Sequence, residues 1–80
     1  MLKYKIDVYD ALVRQGFNSY KAKSTKALSQ DTLRRLKTED TNISLKSLNN
    51  ICIILDMQPK DLIEYVFDEE ETKRTLSKKY

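Results

Sequence analysis

One glycine and one proline in eighty residues leave this chain little means of building a turn-rich β fold. Tight turns draw on glycine for positive φ and on proline for a preset φ, and small antiparallel folds need several of each. With Gly16 and Pro59 alone, the expected class is all-α. Eighty residues make one domain rather than two, and a chain of this size buries only ~60% of its unfolded surface, so the core is expected to be a single cluster. The same scarcity bears on chemistry. A dinucleotide fingerprint, a P-loop and a nucleophile elbow each need at least two glycines. Histidine is absent, which removes His-based acid/base catalysis, Ser–His nucleophiles and His-ligated zinc. A single cysteine, Cys52, can form neither an intrachain disulfide nor a Cys-only metal site. Asp68 to Glu71 form an acidic run, but no carboxylate pair at catalytic spacing and no calcium-loop pattern can be proposed. The expectation is a binding module, not an enzyme, with no cofactor, no metal and no small-molecule ligand.

The net charge of +3 averages unlike segments. Positions 11–38 hold seven cations (Arg14, Lys21, Lys23, Lys26, Arg34, Arg35, Lys37) against Asp31, whereas positions 39–71 hold nine anions against two cations. Lys73, Arg74, Lys78 and Lys79 then make the end basic. A basic segment suits a polyanion; it is equally the solvated surface of a helix rich in good helix formers. The longest strictly apolar run, Ile51 to Leu55, is far short of the ~20 residues that span a bilayer. The first ten residues lack the apolar stretch of a secretory signal, and with a lone thiol this points to a cytoplasmic protein without membrane association.

Spacing predicts five helices. Ile6, Tyr9, Leu12 and Val13 recur at three- and four-residue steps in a first helix from Asp7 to Gln15, stopped by Gly16. Asn18 or Ser19 caps a short second helix to about Thr25, with Tyr20 and Ala22 inward. Ser29 caps a third, in which Asp31 suits the N-terminal dipole and Leu33 and Leu36 form one stripe. After a polar loop, Thr38 to Ile43, Ser44 caps a fourth carrying Leu45, Leu48, Ile51, Cys52 and Leu55. Pro59 opens a fifth, with Leu62, Ile63 and Val66 inward. Residues 1–67 make up this domain, and 68–80 are expected to be a charged, flexible tail.

Two short helices joined by a tight turn inside such a domain describe a helix-turn-helix. The stretches NSYKAKSTKALSQDTLRRLK and NISLKSLNNICIILDMQPKDLIEYV resemble the Cro/CI (XRE-type) family of bacterial and phage transcriptional regulators. The second stretch is the more specific, since positions 44–65 follow the pattern SLxxLxxICxxLDxxPxDLxEY nearly throughout; the likeness covers about residues 4–67. It implies a compact five-helix bundle of the lambda-repressor-like DNA-binding type. Two departures stand out. Ala27 holds the turn position where the family often has glycine, which would cost ~1 kcal/mol if left-handed, and Lys23 stands where a small residue is usual.

The resemblance makes Gln30 to Lys37 the recognition helix, entering the major groove N-terminus first. Gln30 resembles the family's base-reading position, and its amide matches the adenine edge. Asp31 could accept from cytosine, although a charge at the helix N-terminus is the favoured reading. Thr32 is a candidate for a thymine methyl or a phosphate. Arg34 and Arg35 are candidates for guanine or phosphate, and Arg35, which matches a DNA-contacting position, ranks first. Phosphate contacts are expected from Asn18, Ser19, Lys21, Lys37, Thr38, Asn42, Ser44 and Lys46, helped by helix N-termini. These features imply a sequence-specific regulator of double-stranded DNA, a repressor, acting as a homodimer on a pseudo-palindromic operator. The dimer surface is assigned to Tyr65, Val66 and Phe67. The alternative is a protein-interaction module of the same fold, antitoxin- or antirepressor-like, with weak and sequence-blind DNA binding. Cys52 reads as a small buried hydrophobe, and the tyrosines as core edges rather than a base-stacking platform.

Overall fold

The computed structural model describes residues 1–17 and 24–77. Along the chain run strand β1 (Leu2–Tyr4), helix α1 (Val8–Arg14), helix α2 (Gln30–Lys37), helix α3 (Leu45–Leu55), helix α4 (Pro59–Leu62), strand β2 (Ile63–Tyr65) and helix α5 (Glu69–Ser77). Residues 24 and 25 are also helical. The expected caps of the second helix, Asn18 and Ser19, and its inward candidates Tyr20 and Ala22 lie outside the described residues, as do Lys21 and Lys23.

Each helix start depends on a short polar side chain. The Asp7 carboxylate accepts from the Asp10 amide, Ser29 from that of Thr32 and Ser44 from that of Ser47. Pro59 opens α4, and the Asp61 carboxylate accepts from the Gln58 amide.

The ends of α1, α2 and α3 share one geometry. After α1 the Gly16 amide donates to Val13 and the Phe17 amide to Leu12, with Gly16 left-handed at φ 81°. This is a Schellman closure, and it buries Phe17 with Leu12. The same closure ends α2, where Glu39 is left-handed at φ 61° and the Asp40 amide donates to the Arg35 carbonyl. In α3, Asp56 takes φ 53° and the Met57 amide reaches back to Cys52. With one glycine available, a glutamate and an aspartate hold the other two left-handed caps. The fourth left-handed position among the described residues is Lys26, at φ 57°. The turn before α2 is therefore built on Lys26, not on the expected Ala27.

The core joins Val8, Leu12, Phe17, Leu28, Leu33, Leu36, Ile51, Leu55 and Leu62. Helix α1 packs against α2 and α3. Some expected inward positions shift. Val8 rather than Val13 fills the stripe of α1, and Leu45 is 84% exposed because it stands in the first turn of α3, outside the contact with the bundle. Cys52 and Tyr4 pack at the core edge.

The all-α expectation is corrected by a small sheet. The helix expected from Pro59 onward is α4 and ends at Leu62, and Ile63–Tyr65 pair antiparallel with Leu2–Tyr4 in the register Leu2↔Tyr65, Lys3↔Glu64, Tyr4↔Ile63. Both segments are short and alternate apolar or aromatic with charged residues, with Ile63 and the two tyrosines favouring strands, and Lys3 faces Glu64 across the ladder. The chain is thus mostly helical, with one two-stranded sheet clasping its N-terminus to the end of α4. Residues 69–77, expected to be irregular, form a helix capped by Asp68, whose carboxylate accepts from the Glu71 amide. No α5 residue is buried, and the Met1 ammonium pairs with Glu71 at 2.9 Å.

Candidate nucleic-acid interface

Helix α2 turns Leu33 and Leu36 into the core, so the opposite face carries Gln30, Asp31, Arg34 and Lys37 outward. Gln30 is exposed in the first turn, beside the amides that the Ser29 cap leaves at the helix N-terminus. Thr32 is corrected. It is 8% exposed, and its hydroxyl lies 2.9 Å from that of Ser29 and 3.4 Å from that of Ser47. The side chain is turned into the α2–α3 contact, away from the outward face on which a thymine methyl or a phosphate would be met.

That contact carries a chain of hydroxyls. Ser29 meets Thr32, Thr32 meets Ser47, and Ser44 donates to Ser47 at 3.0 Å. Ser29 and Ser44 are the N-caps of α2 and α3, so the network holds two helix N-termini side by side. Each presents a partial positive charge and unpaired amides. Ser44 and Lys46, expected to grip phosphate, stand exposed at the second of these ends. A second tie sets the pose of α2: Asn50 Nδ2 donates to the Ala27 carbonyl at 2.8 Å, from the middle of α3 to the turn before α2. Neither Ser47 nor Asn50 was singled out in sequence. The only signal for Ser47 is its place three residues after a capping serine.

The arginines are held internally. The Asp31 carboxylate pairs with Arg34 and, at 2.9 Å, with Arg35 Nε. Asp40 accepts from Arg35 Nη1 at 2.9 Å. Arg34 is 70% exposed against 30% for Arg35, so the latter is the more confined guanidinium. Hydrogen bonds from Arg34 and then Arg35 hold the Asp31 carboxyl below the usual carboxylate range, and those of Asp31 raise the guanidinium of Arg35.

Asp40, missed in sequence, is the most heavily bonded of the loop residues. Its amide donates to the Arg35 carbonyl at 2.8 Å, its carbonyl accepts the Tyr4 hydroxyl at 2.8 Å, and its second carboxylate oxygen accepts the Asn42 amide at 2.8 Å. Burial, and then the nearby Asp40 charge, push the Tyr4 phenol up. The remaining expected phosphate ligands sit around this rim. Lys37 Nζ lies 5.1 Å from the Tyr9 ring centroid, a cation–π contact, and the Thr38 hydroxyl donates to the Arg34 and Arg35 carbonyls at 3.2 Å. Asn42 is exposed. Asn18, Ser19 and Lys21 lie outside the described residues. Among those described, no group of three metal-ligating side chains forms, and no helix is long and apolar enough to cross a membrane.

Of the assigned dimer residues, Tyr65 and Phe67 are exposed and Val66 is half-buried, on β2 and just beyond it rather than on a helix.

The described arrangement is a helix offering its N-terminal turn and outward face to solvent, supported from behind by a second helix whose N-terminus lies beside it. This is the scaffold of a major-groove reader. No characterised protein and no solved structure shows significant similarity to the chain. The model of the Cro/C1-type helix-turn-helix DNA-binding domain matches residues 22–68, more than half of its length. The chain belongs to the Cro/C1-type helix-turn-helix DNA-binding family and is a binder of double-stranded DNA.

Proposed function

We propose that the protein is a sequence-specific transcriptional regulator, a cytoplasmic repressor, that reads a pseudo-palindromic operator as a homodimer. The observation that carries this reading is the paired helix N-termini: Gln30 opens one and Ser44 and Lys46 the other, so base edge and phosphate can be met together. Gln30 and Arg35 read bases; Lys37, Asn42, Ser44 and Lys46 hold phosphates, together with Asn18, Ser19 and Lys21. Residues 1–67 are the DNA-binding unit, with 68–80 appended to it. Selection from a pool of random duplexes at physiological salt tests the reading. One enriched motif with two related half-sites, lost in a Gln30→Ala, Arg35→Ala double variant, is the expected result. No enrichment, together with tight binding to a protein partner, would favour the interaction-module alternative.

For the dimer surface, the sheet supplies the argument. Tyr4 and Ile63 share one face of the ladder with Leu2 and Tyr65, by the two-residue period of strands. The first pair packs against the core, while the second continues the same face into solvent. Leu2 also lines an apolar groove with Ile43, Leu45, Leu48 and Ile63. Sedimentation equilibrium of the full chain should show a dimer that a Leu2→Ser, Tyr65→Ser variant loses; an unchanged association constant would remove this face from the reading.

A further inference from the structure

The stretch from Gln30 to Asp40 contains three cations (Arg34, Arg35, Lys37) and three anions (Asp31, Glu39, Asp40). The stretch that would lie nearest the DNA is therefore electroneutral, because it straddles the border between the basic block 11–38 and the acidic block 39–71. Nor are the charges scattered. Asp31 pairs with both arginines, and Asp40 reaches Arg35 from the far side of the helix end. Because Glu39 takes the left-handed cap, the chain folds back and the Asp40 amide lands on the Arg35 carbonyl. The Tyr4 hydroxyl and the Asn42 amide then fasten Asp40 from two further directions. Exposed single ion pairs are weak, because two long side chains must be ordered for little gain. Here the carboxylate is already fixed by its own backbone bonds, and the guanidinium between two carboxylates is the least exposed of the pair.

We propose that Asp40 is a specificity-determining residue for DNA binding, acting with Asp31 as an internal competitor for the guanidinium of Arg35. The proposal rests on the DNA-reading function given above. Pinned at Nε and Nη1 by two carboxylates, the Arg35 guanidinium is held in one orientation, which suits a partner that takes up its remaining donors in that plane. The O6/N7 edge of guanine does so. To grip a backbone phosphate away from that plane, Arg35 must instead swing out and give up both carboxylates, so part of the attraction is offset. Asp40 thus lowers sequence-blind affinity more than specific affinity.

The experiment measures binding of the selected duplex and of an unrelated duplex of equal length, from 50 to 200 mM salt, with full-length wild-type and Asp40→Asn protein. One phosphate contact changes the slope of log K against log salt by about 0.9, or about 3.5-fold in K across that range. In Asp40→Asn the unrelated duplex should bind more tightly, its slope steepening by about one contact, while the selected duplex gains less and the ratio of the two falls. Asp40→Glu, which retains the carboxylate, should stay near wild type and guards against a folding defect in Asp40→Asn. In an Arg35→Ala background the substitution at Asp40 should leave the ratio of the two affinities unchanged, since any loss of repulsion then acts on both duplexes alike. A ratio left unchanged by Asp40→Asn, or an effect on that ratio that persists without Arg35, overturns the proposal while the regulator reading stands. A wild-type chain that prefers no duplex overturns both.

Discussion

Asn50→Ala removes the side chain that joins the middle of α3 to the turn before α2. Its Nδ2 donates to the Ala27 carbonyl at 2.8 Å, and both residues are half-buried. A net hydrogen bond is worth about 0.5–1.5 kcal/mol, and an acceptor left without a partner costs about 1–3 kcal/mol when fully desolvated. Water can reach this carbonyl in part, which places the loss at about 1–1.5 kcal/mol. Alanine is the better helix former by roughly 0.5 kcal/mol, which offsets part of it. The expected net destabilisation is about 0.5–1 kcal/mol, or a melting midpoint lower by roughly 2–8 °C for a domain of this size. Urea titration followed by far-ultraviolet circular dichroism measures it.

Asn50→Asp sharpens the test. The introduced carboxylate faces a carbonyl oxygen, so repulsion and partial burial raise its folded pKa. A raised folded pKa makes stability fullest below the unfolded value, near 4, and lost as pH rises through the folded value. The deficit relative to wild type should therefore shrink from pH 7 to pH 4, where the carboxyl can donate in place of the amide. In both variants affinity for the selected duplex should fall at temperatures where the protein stays folded, because the pose of α2 is released while phosphate-binding charges are untouched. Stability within 0.3 kcal/mol of wild type for Asn50→Ala (below the ~0.5 kcal/mol floor for a net hydrogen bond), or a deficit in Asn50→Asp that does not depend on pH, would refute the reasoning.

The left-handed caps give a matched pair. Nothing lies within 4 Å of a Cβ built on Gly16, so Gly16→Ala should cost only the backbone term of about 1–2 kcal/mol, whereas Glu39→Gly should stabilise by a similar or smaller amount; urea midpoints that move the other way would contradict the cap assignment. Tyr4→Phe should lose about 1 kcal/mol at neutral pH with the bond to Asp40. The raised phenol pKa stabilises the fold below about pH 10 and is lost as pH rises through the folded value, so the variant should show a flatter alkaline limb in thermal melts. An equally steep limb would mean that Tyr4 does not titrate with folding. Thr32→Val should destabilise by about 1–2 kcal/mol by unpairing the hydroxyl chain while leaving the selected motif unchanged; a changed motif with intact stability would restore Thr32 to the reading face.

The helices at Val8–Arg14, Gln30–Lys37 and Leu45–Leu55 were legible because each signal lies within its own segment. Asp7, Ser29 and Ser44 each cap the helix that begins one residue later, and Leu33 with Leu36, or Ile51 with Leu55, sit at helical spacing. The sheet was not legible for the opposite reason. LKY and IEY are each three residues long, too short for a period of two to stand out, and their partners lie some sixty positions apart. In the site, Gln30 and the two arginines are placed by the helix face. Thr32 was misplaced because a threonine three residues after a capping serine looks like a surface residue until a second helix brings Ser47 against it.

Local chemistry in the sequence is enough to make this chain mostly helical, to start its main helices and to remove chemistry that needs histidine or several glycines, because caps, periodicity and missing residue types need no distant partner. Tertiary structure decided the rest: that the N-terminus closes a sheet with Ile63–Tyr65, that Thr32 points inward, and that Asp31 and Asp40 neutralise the arginines of a basic segment. The scarcity of glycine shows both levels at once. It announced helices, yet only the folded backbone revealed that Lys26, Glu39 and Asp56 take the left-handed positions glycine would have filled. One of them, Glu39, swings Asp40 onto Arg35, since a left-handed residue reverses the chain where an ordinary one would carry it away from the helix.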